Sequence, residues 1–150
     1  MTGSAPPLEQ TMHPVLRRVL YVITYEVFAV VLATLGLSAF TGQPLGHTGV
    51  ITVIVSTIAV AWNFVFNTLF EAWESRQSVR GRSFARRAAH AVGFELGLTA
   101  AIVPLFAWWL DVSYLEALLY DITLLVFFLF YTFAFNFGFD RVFGLPVSAR

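Results

Sequence analysis

Two glutamates stand where an apolar sequence should exclude them. Glu26 ends the string Arg18-Val-Leu-Tyr21-Val-Ile-Thr-Tyr25-Glu26, and Glu95 ends Arg87-Ala-Ala-His90-Ala-Val-Gly-Phe94-Glu95. Both strings open long runs of Val, Leu, Ile, Ala and aromatic residues. An ionised carboxylate in hydrocarbon costs on the order of 3 kcal/mol on insertion scales, so it keeps a partner, a proton or a task. Burial disfavours the charged form of a carboxyl, which lets such a group trade a proton for a cation near neutrality. The residues alone support two readings. Glu26 and Glu95 are proton and substrate coupling groups, or they are hydrogen-bonded acids that hold helices together.

The stretches that follow each glutamate carry a second pattern. Asn63, Asn67 and Glu71 are four apart, which places them on one helix face as a slowly drifting polar stripe. Thr132, Asn136 and Asp140 repeat it. Trp62, Phe66 and Phe70 form a neighbouring aromatic row, as do Tyr131, Phe135 and Phe139. A polar stripe in an apolar helix faces other helices. Tyr25, Trp62, Asn63, Phe66, Asn67, Tyr131 and Asn136 are the residues expected to surround a cationic small molecule. Aromatic faces add about 0.5–2 kcal/mol each to cation binding, although packing accounts for any single ring and amide equally well. If Arg18 and Glu71 mark one boundary, Glu26 is level with Trp62-Asn63, and Glu95 with Tyr131-Thr132. The same count pairs Arg18 with Glu71 and Arg87 with Asp140 as structural or gating groups within each half.

The elements that must position these residues are four apolar segments, roughly 19–40, 50–70, 88–110 and 114–139. Each has about 20 residues or more, enough to cross a hydrocarbon core of about 30 Å as a helix. The runs are too continuous for alternating barrel strands. Hydrophobic residues make up 58% and charged residues 12% of the 150, against about 25% charged in soluble domains. The expectation is an all-α membrane protein: four transmembrane helices as two tandem parallel hairpins. The halves align at a constant offset of 69 residues, from Glu26 to Glu95 and from Asn67 to Asn136. The organisation reads as a disordered tail (1–14), a first transmembrane pair (15–75), a connection (76–86), a second pair (87–143) and a C-terminal tail (144–150). The first stretch has no Lys or Arg before Arg17 and lacks the basic start of a signal peptide.

Every basic residue is Arg, and each lies before the first span, between the second and third, or after the fourth. The positive-inside rule then puts both termini and the middle connection in the cytoplasm. The formal net charge is zero, which gives no argument for nucleic acid. There is no Cys, hence no disulfide and no thiol site. His13 and His47 lie outside the expected spans without metal-ligand spacing, and His90 reads as a structural hydrogen-bonding group, so no metal is expected. Gly93-Phe-Glu-Leu-Gly97 is a small-xxx-small motif for close helix packing. Pro104 stands where it could kink the third span. Asp121, near the far end of the fourth span, is a gating charge or an interfacial one.

These four motifs resemble the proteobacterial antimicrobial compound efflux family, also described as bacterial transmembrane pair proteins. They are Arg18…Tyr25-Glu26, Trp62-Asn63…Phe66-Asn67…Phe70-Glu71, Arg87…His90…Gly93-Phe94-Glu95 and Tyr131…Asn136…Asp140. The resemblance covers about residues 15–143. It implies inner-membrane exporters that need no cofactor beyond the proton gradient. Their substrates would be cationic biocides such as chlorhexidine, dyes such as acriflavine, and short-chain diamines, with the functional acid at Glu26. The pattern departs at Tyr21, where the family has His, and at Thr132, where it has Asn. Four spans offer few walls for a pathway, so a homo-oligomer in the lipid bilayer is expected, a dimer first. The rival reading is a non-transporting membrane interaction protein with its acids as helix glue.

Overall fold

The computed structural model describes residues 13–77 and 83–143. Residues 1–12 of the tail expected over 1–14, the tail expected over 144–150, and the centre of the connection at 78–82 lie outside the described residues. Four helices follow in order: α1 (Pro14–Thr41), α2 (Leu45–Ser75), α3 (Phe84–Leu110) and α4 (Tyr114–Phe143). All four are long and apolar enough to span a membrane.

Local chemistry sets the ends. His13 caps α1 by accepting the Val15 amide on Nδ1, and Pro14 occupies the first helical position, where its missing N–H leaves no orphan donor. Gly42 closes α1 at φ 69°, the left-handed cap that a Cβ would disfavour. Ser83 caps α3. Asp111 ends α3 at φ 54°, a conformation Asp tolerates better than most residues. Ser113 and Glu116 then form a reciprocal capping box at the start of α4. The links between α1 and α2 and between α3 and α4 are therefore three residues or fewer, which makes each pair an antiparallel hairpin. α3 continues through Pro104 without interruption.

The core is thin and lies near these two turns, at what we call the hairpin end. Leu37, Ile51, Ile102, Phe106, Leu110 and Ala117 are buried together there. Elsewhere large apolar side chains point outward: Phe64, Phe130 and Phe133 are 68–76% exposed. A bundle this long with so little interior is covered by lipid, which removes its apolar flanks from water. The protein is a multi-pass membrane protein.

The hairpins meet along two seams, α1 against α4 and α2 against α3. The seams correspond under the 69-residue offset. At the terminal end, Arg17 pairs with Asp140 at 2.7 Å and lies 5.2 Å from the Phe139 ring centre. The boundary ion pairs expected within each hairpin are thus corrected: Asp140 takes Arg17 of the other hairpin, not Arg87. Arg18 and Glu71 are both exposed and form no ion pair with each other among the described residues. The cause is the helix register. The short turn brings Thr34 to Thr48, and α2 then runs on to Ser75, so Glu71 extends past the level of Arg18. At the hairpin end the second seam has a clasp. His47, in the first turn of α2, and Trp109 exchange ring-to-carbonyl hydrogen bonds of 2.9 and 3.1 Å and stack their rings.

Candidate functional site

Between the buried cluster and the terminal end lies a cavity of about 870 Å³ lined by all four helices. Three carboxylates face it: Glu26 from α1, Glu95 from α3 and Asp121 from α4. Among the described residues no Arg or Lys lines it. The rest of its wall is mostly aliphatic and aromatic, with Tyr25, Phe94, Phe106 and Phe128 among the rings, and carries the hydroxyls and amides of Thr52, Ser56, Asn63, Thr99, Thr132 and Asn136. Glu95 and Asn63 keep much of their surface accessible, so the cavity is open.

Each of two acids is held by a hydroxyl from the neighbouring helix of its own hairpin. Ser56 donates to Glu26 Oε2 at 2.9 Å. Thr99 donates to Asp121 Oδ2 at 2.9 Å. Neither hydroxyl was singled out by motif. Thr52, Ser56 and Asn63 do share one face of α2, at spacings of four and seven, and that periodicity is the available signal. The expected level of Glu26 with Asn63 is corrected by these contacts. Glu26 meets Ser56, seven residues earlier in α2, or about 10 Å along the helix. The same register error misplaces Tyr131 and Thr132, which contact Tyr25 and not Glu95.

The aromatic–polar rows of α2 and α4 therefore pack across the hairpins. Trp62 Nε1 donates to the Phe94 carbonyl at 3.0 Å, and the equivalent Tyr131 hydroxyl donates to the Tyr25 carbonyl at 2.9 Å. Each bond anchors the residue just before a cavity glutamate. His90 Nε2–H donates to Asn67 Oδ1 at 2.8 Å, and the Tyr21 hydroxyl donates to Asn136 Oδ1 at 2.5 Å. Asn67 also donates to the Asn63 carbonyl. Rings complete both seams: Phe66 and Phe70 meet His90 edge-on and Phe66 also meets Phe94, while Phe135 and Phe139 meet Tyr21 edge-on. Such pairs contribute about 0.5–1.5 kcal/mol each beyond area burial.

Of the residues expected around a cation, Tyr25, Asn63 and Asn136 line the cavity; Trp62, Phe66, Asn67 and Tyr131 lie in the seams. Among the described residues no group of three or more His, Asp and Glu is placed to hold a metal.

Tyr21 holds the place of His90 and makes the same kind of bond to the equivalent Asn. Tyr21→His is expected to preserve both the fold and transport within about a factor of two, because a ring N–H replaces the hydroxyl. Tyr21→Phe should lower stability by about 0.5–1.5 kcal/mol, the net value of one hydrogen bond. Thermal unfolding in detergent, read by tryptophan fluorescence, distinguishes the two.

The glycine motif has a specific cause. A Cβ on Gly97 would collide with the Trp62 indole, with Cη2 and Cε2 at 2.8 and 2.9 Å and Cζ2 closer still. A Cβ on Gly93 would come 3.2 Å from Phe66 Cζ. Gly97→Ala is expected to displace Trp62 and destabilise the protein by about 1–3 kcal/mol, with Gly93→Ala milder. Their unfolding midpoints should fall in that order.

A four-helix membrane bundle thus surrounds an open cavity whose described lining holds three carboxylates and no Arg or Lys. Comparison with known proteins gives the class. The chain matches the chlorhexidine efflux transporter family twice, over residues 13–76 and 82–145, segments displaced by 69 residues. The chain belongs to this family of efflux transporters. It is 33% identical over 125 residues to a short-chain diamines transporter of Vibrio parahaemolyticus, covering 83% of this chain and 89% of that one. It is 34% identical over 126 residues to a short-chain diamines transporter of Acinetobacter baumannii, covering 84% and 87%. A third such transporter, from Acinetobacter baylyi, is 32% identical over 126 residues. No solved structure matches the chain.

Proposed function

We propose that this transporter exports cationic, partly apolar compounds, short-chain diamines among them, across the bacterial inner membrane in exchange for protons. Biocides such as chlorhexidine and dyes such as acriflavine fall within the same chemical class. The observation that carries the reading is the placement of Glu26 in a cavity whose described lining has acids but no basic residue. Such a site holds either protons or cations, and the two compete for the same oxygens.

In this mechanism Glu26 binds the cation in its ionised form, with its rotamer fixed by the Ser56 hydroxyl. Tyr25 and the other cavity rings supply cation–π attraction. Protonation of Glu26 from the outer side removes the counter-charge and expels the cation. The carboxyl then carries its proton inward and loses it to the cytoplasm. Each elementary charge moved across the field is worth about 2.3 kcal/mol per 100 mV. Glu95, which faces the same cavity without a hydroxyl partner among the described residues, is a second proton carrier. The arginine distribution supports cytoplasmic termini. A homodimer would supply further walls for the pathway.

The sign of the pH effect follows from the competition: cation affinity falls as pH is lowered and Glu26 takes up its proton. Proteoliposomes with an internal pH dye test the exchange. Adding a diamine to the wild-type protein should move protons in the opposite direction to the diamine. A diamine flux with no accompanying proton movement would refute the exchange mechanism.

A further inference from the structure

The two halves match closely along their seams and differ inside the cavity. Glu26 has Ser56 as its hydroxyl partner, whereas position 125, the equivalent of Ser56, is Leu. Asp121 stands at the equivalent of Thr52, which is buried and donates to a carbonyl of its own helix. Thr99, the partner of Asp121, replaces Val30. The repeat therefore does not present two equivalent glutamate sites. Each hairpin instead contributes one acid fixed by a neighbouring hydroxyl: Glu26 by Ser56, and Asp121 by Thr99.

Asp121 plays no part in either seam. Among the described residues Thr99 is its hydrogen-bond partner, through Oδ2, and Asp121 lines the cavity. Among the described residues no basic side chain lines the cavity to neutralise it. An acid serving only as helix glue would have its counter-charge or its donors within the protein. Here the donors among the described residues bond one oxygen of each fixed acid, and both acids line one cavity.

We infer that Asp121 is a specificity-determining residue, the second anchor of the cavity, and that it selects compounds with two cationic centres over those with one. One ammonium sits on Glu26 and the other on Asp121, with the apolar spacer against the aliphatic and aromatic wall between them. This rests on the reading of the cavity as a cation site and extends it, because a proton and cation exchanger needs only Glu26.

The test is isothermal titration of the full chain in lipid nanodiscs with 1,4-diaminobutane and with 1-aminobutane, at a pH where both amines are charged. Asp121→Asn keeps the side-chain shape and can still accept from Thr99. It should weaken diamine binding roughly tenfold or more, the scale of one charge-assisted hydrogen bond, and leave monoamine binding within about twofold. Asp121→Glu should retain the preference for the diamine. An unchanged ratio in Asp121→Asn, or an equal loss for both ligands, would overturn the inference. A wild-type measurement covers a variant that does not fold. In a series of diamines of increasing chain length, affinity should pass through an optimum that the matching monoamines lack; a parallel rise in both series would also overturn it. Glu26→Gln separates the two levels of argument. If that variant binds both amines like wild type, the cation-site reading itself fails. If it loses both while Asp121→Asn keeps its ratio, only the present inference fails.

Discussion

Replacing Glu26 by Gln is expected to reduce cation export to the level of protein-free vesicles while leaving the bundle folded. Gln has the same shape and its carbonyl oxygen still accepts the Ser56 hydroxyl at the position of Oε2. What the substitution removes is the charge that attracts a cation and the proton that displaces it. Both halves of the exchange fail together, so weak binding cannot be rescued by more substrate. Ser56→Ala is the matched control. It leaves the carboxylate in place but frees its rotamer, and should lower affinity by a small factor, with the maximal rate nearly unchanged. Glu95→Gln should fall between these limits, because Glu95 faces the same cavity but takes no hydroxyl among the described residues. Uptake into inverted vesicles under an imposed pH gradient ranks the three variants. Thermal unfolding of each purified protein shows that the loss in Glu26→Gln is not a loss of fold.

Trp62→Ala is expected to have the largest effect on stability, about 3–5 kcal/mol, as for aromatic truncations in packed interiors. The indole performs three tasks in one place. It fills the space that Gly97 leaves by having no Cβ. It donates to the Phe94 carbonyl, one residue before Glu95. It packs against Phe66 at a centroid distance of 5.5 Å, in the row that reaches His90. Trp62→Phe keeps much of the volume but loses the donor, and should cost less than half as much. Tyr131→Phe is the equivalent deletion of a donor in the other seam and should cost about 0.5–1.5 kcal/mol. If Trp62→Ala unfolds at the wild-type midpoint, the α2–α3 seam does not hold the bundle as described.

Much of this architecture is legible in the residues. Four apolar runs, two Gly- or Asp-marked turns and a motif recurring at 69 residues define two hairpins, because an unpaired backbone in hydrocarbon leaves no alternative to helices. The acid proposed to function also stands out in the sequence: few positions make a carboxylate as costly as the middle of an apolar helix, and Glu26 lines the cavity. The register between helices is not. Matching Arg18 to Glu71 assumes that oppositely charged residues end at one level, and the turn at Gly42–Pro44 overrides that assumption. With Thr34 against Thr48, the partner of Glu26 becomes Ser56, a small residue without motif character. A repeat also does not reveal whether its polar rows face their own hairpin or the other. Tyr25 with Thr132, and Asn67 with His90, show the second arrangement. The departure at Tyr21 is explained only by its partner, since a Tyr hydroxyl reaches Asn136 as the His90 ring reaches Asn67.

The central claim is that one carboxyl, Glu26, exchanges a proton for a cation. The direct measurement is proton release from the purified, weakly buffered protein on addition of a diamine, followed with a pH indicator. The account predicts that wild-type protein releases protons in a saturable manner, that the release grows smaller at pH values where Glu26 is already ionised, and that Glu26→Gln releases far less. Saturable diamine binding with no proton release at any pH, or equal release from Glu26→Gln, would contradict it.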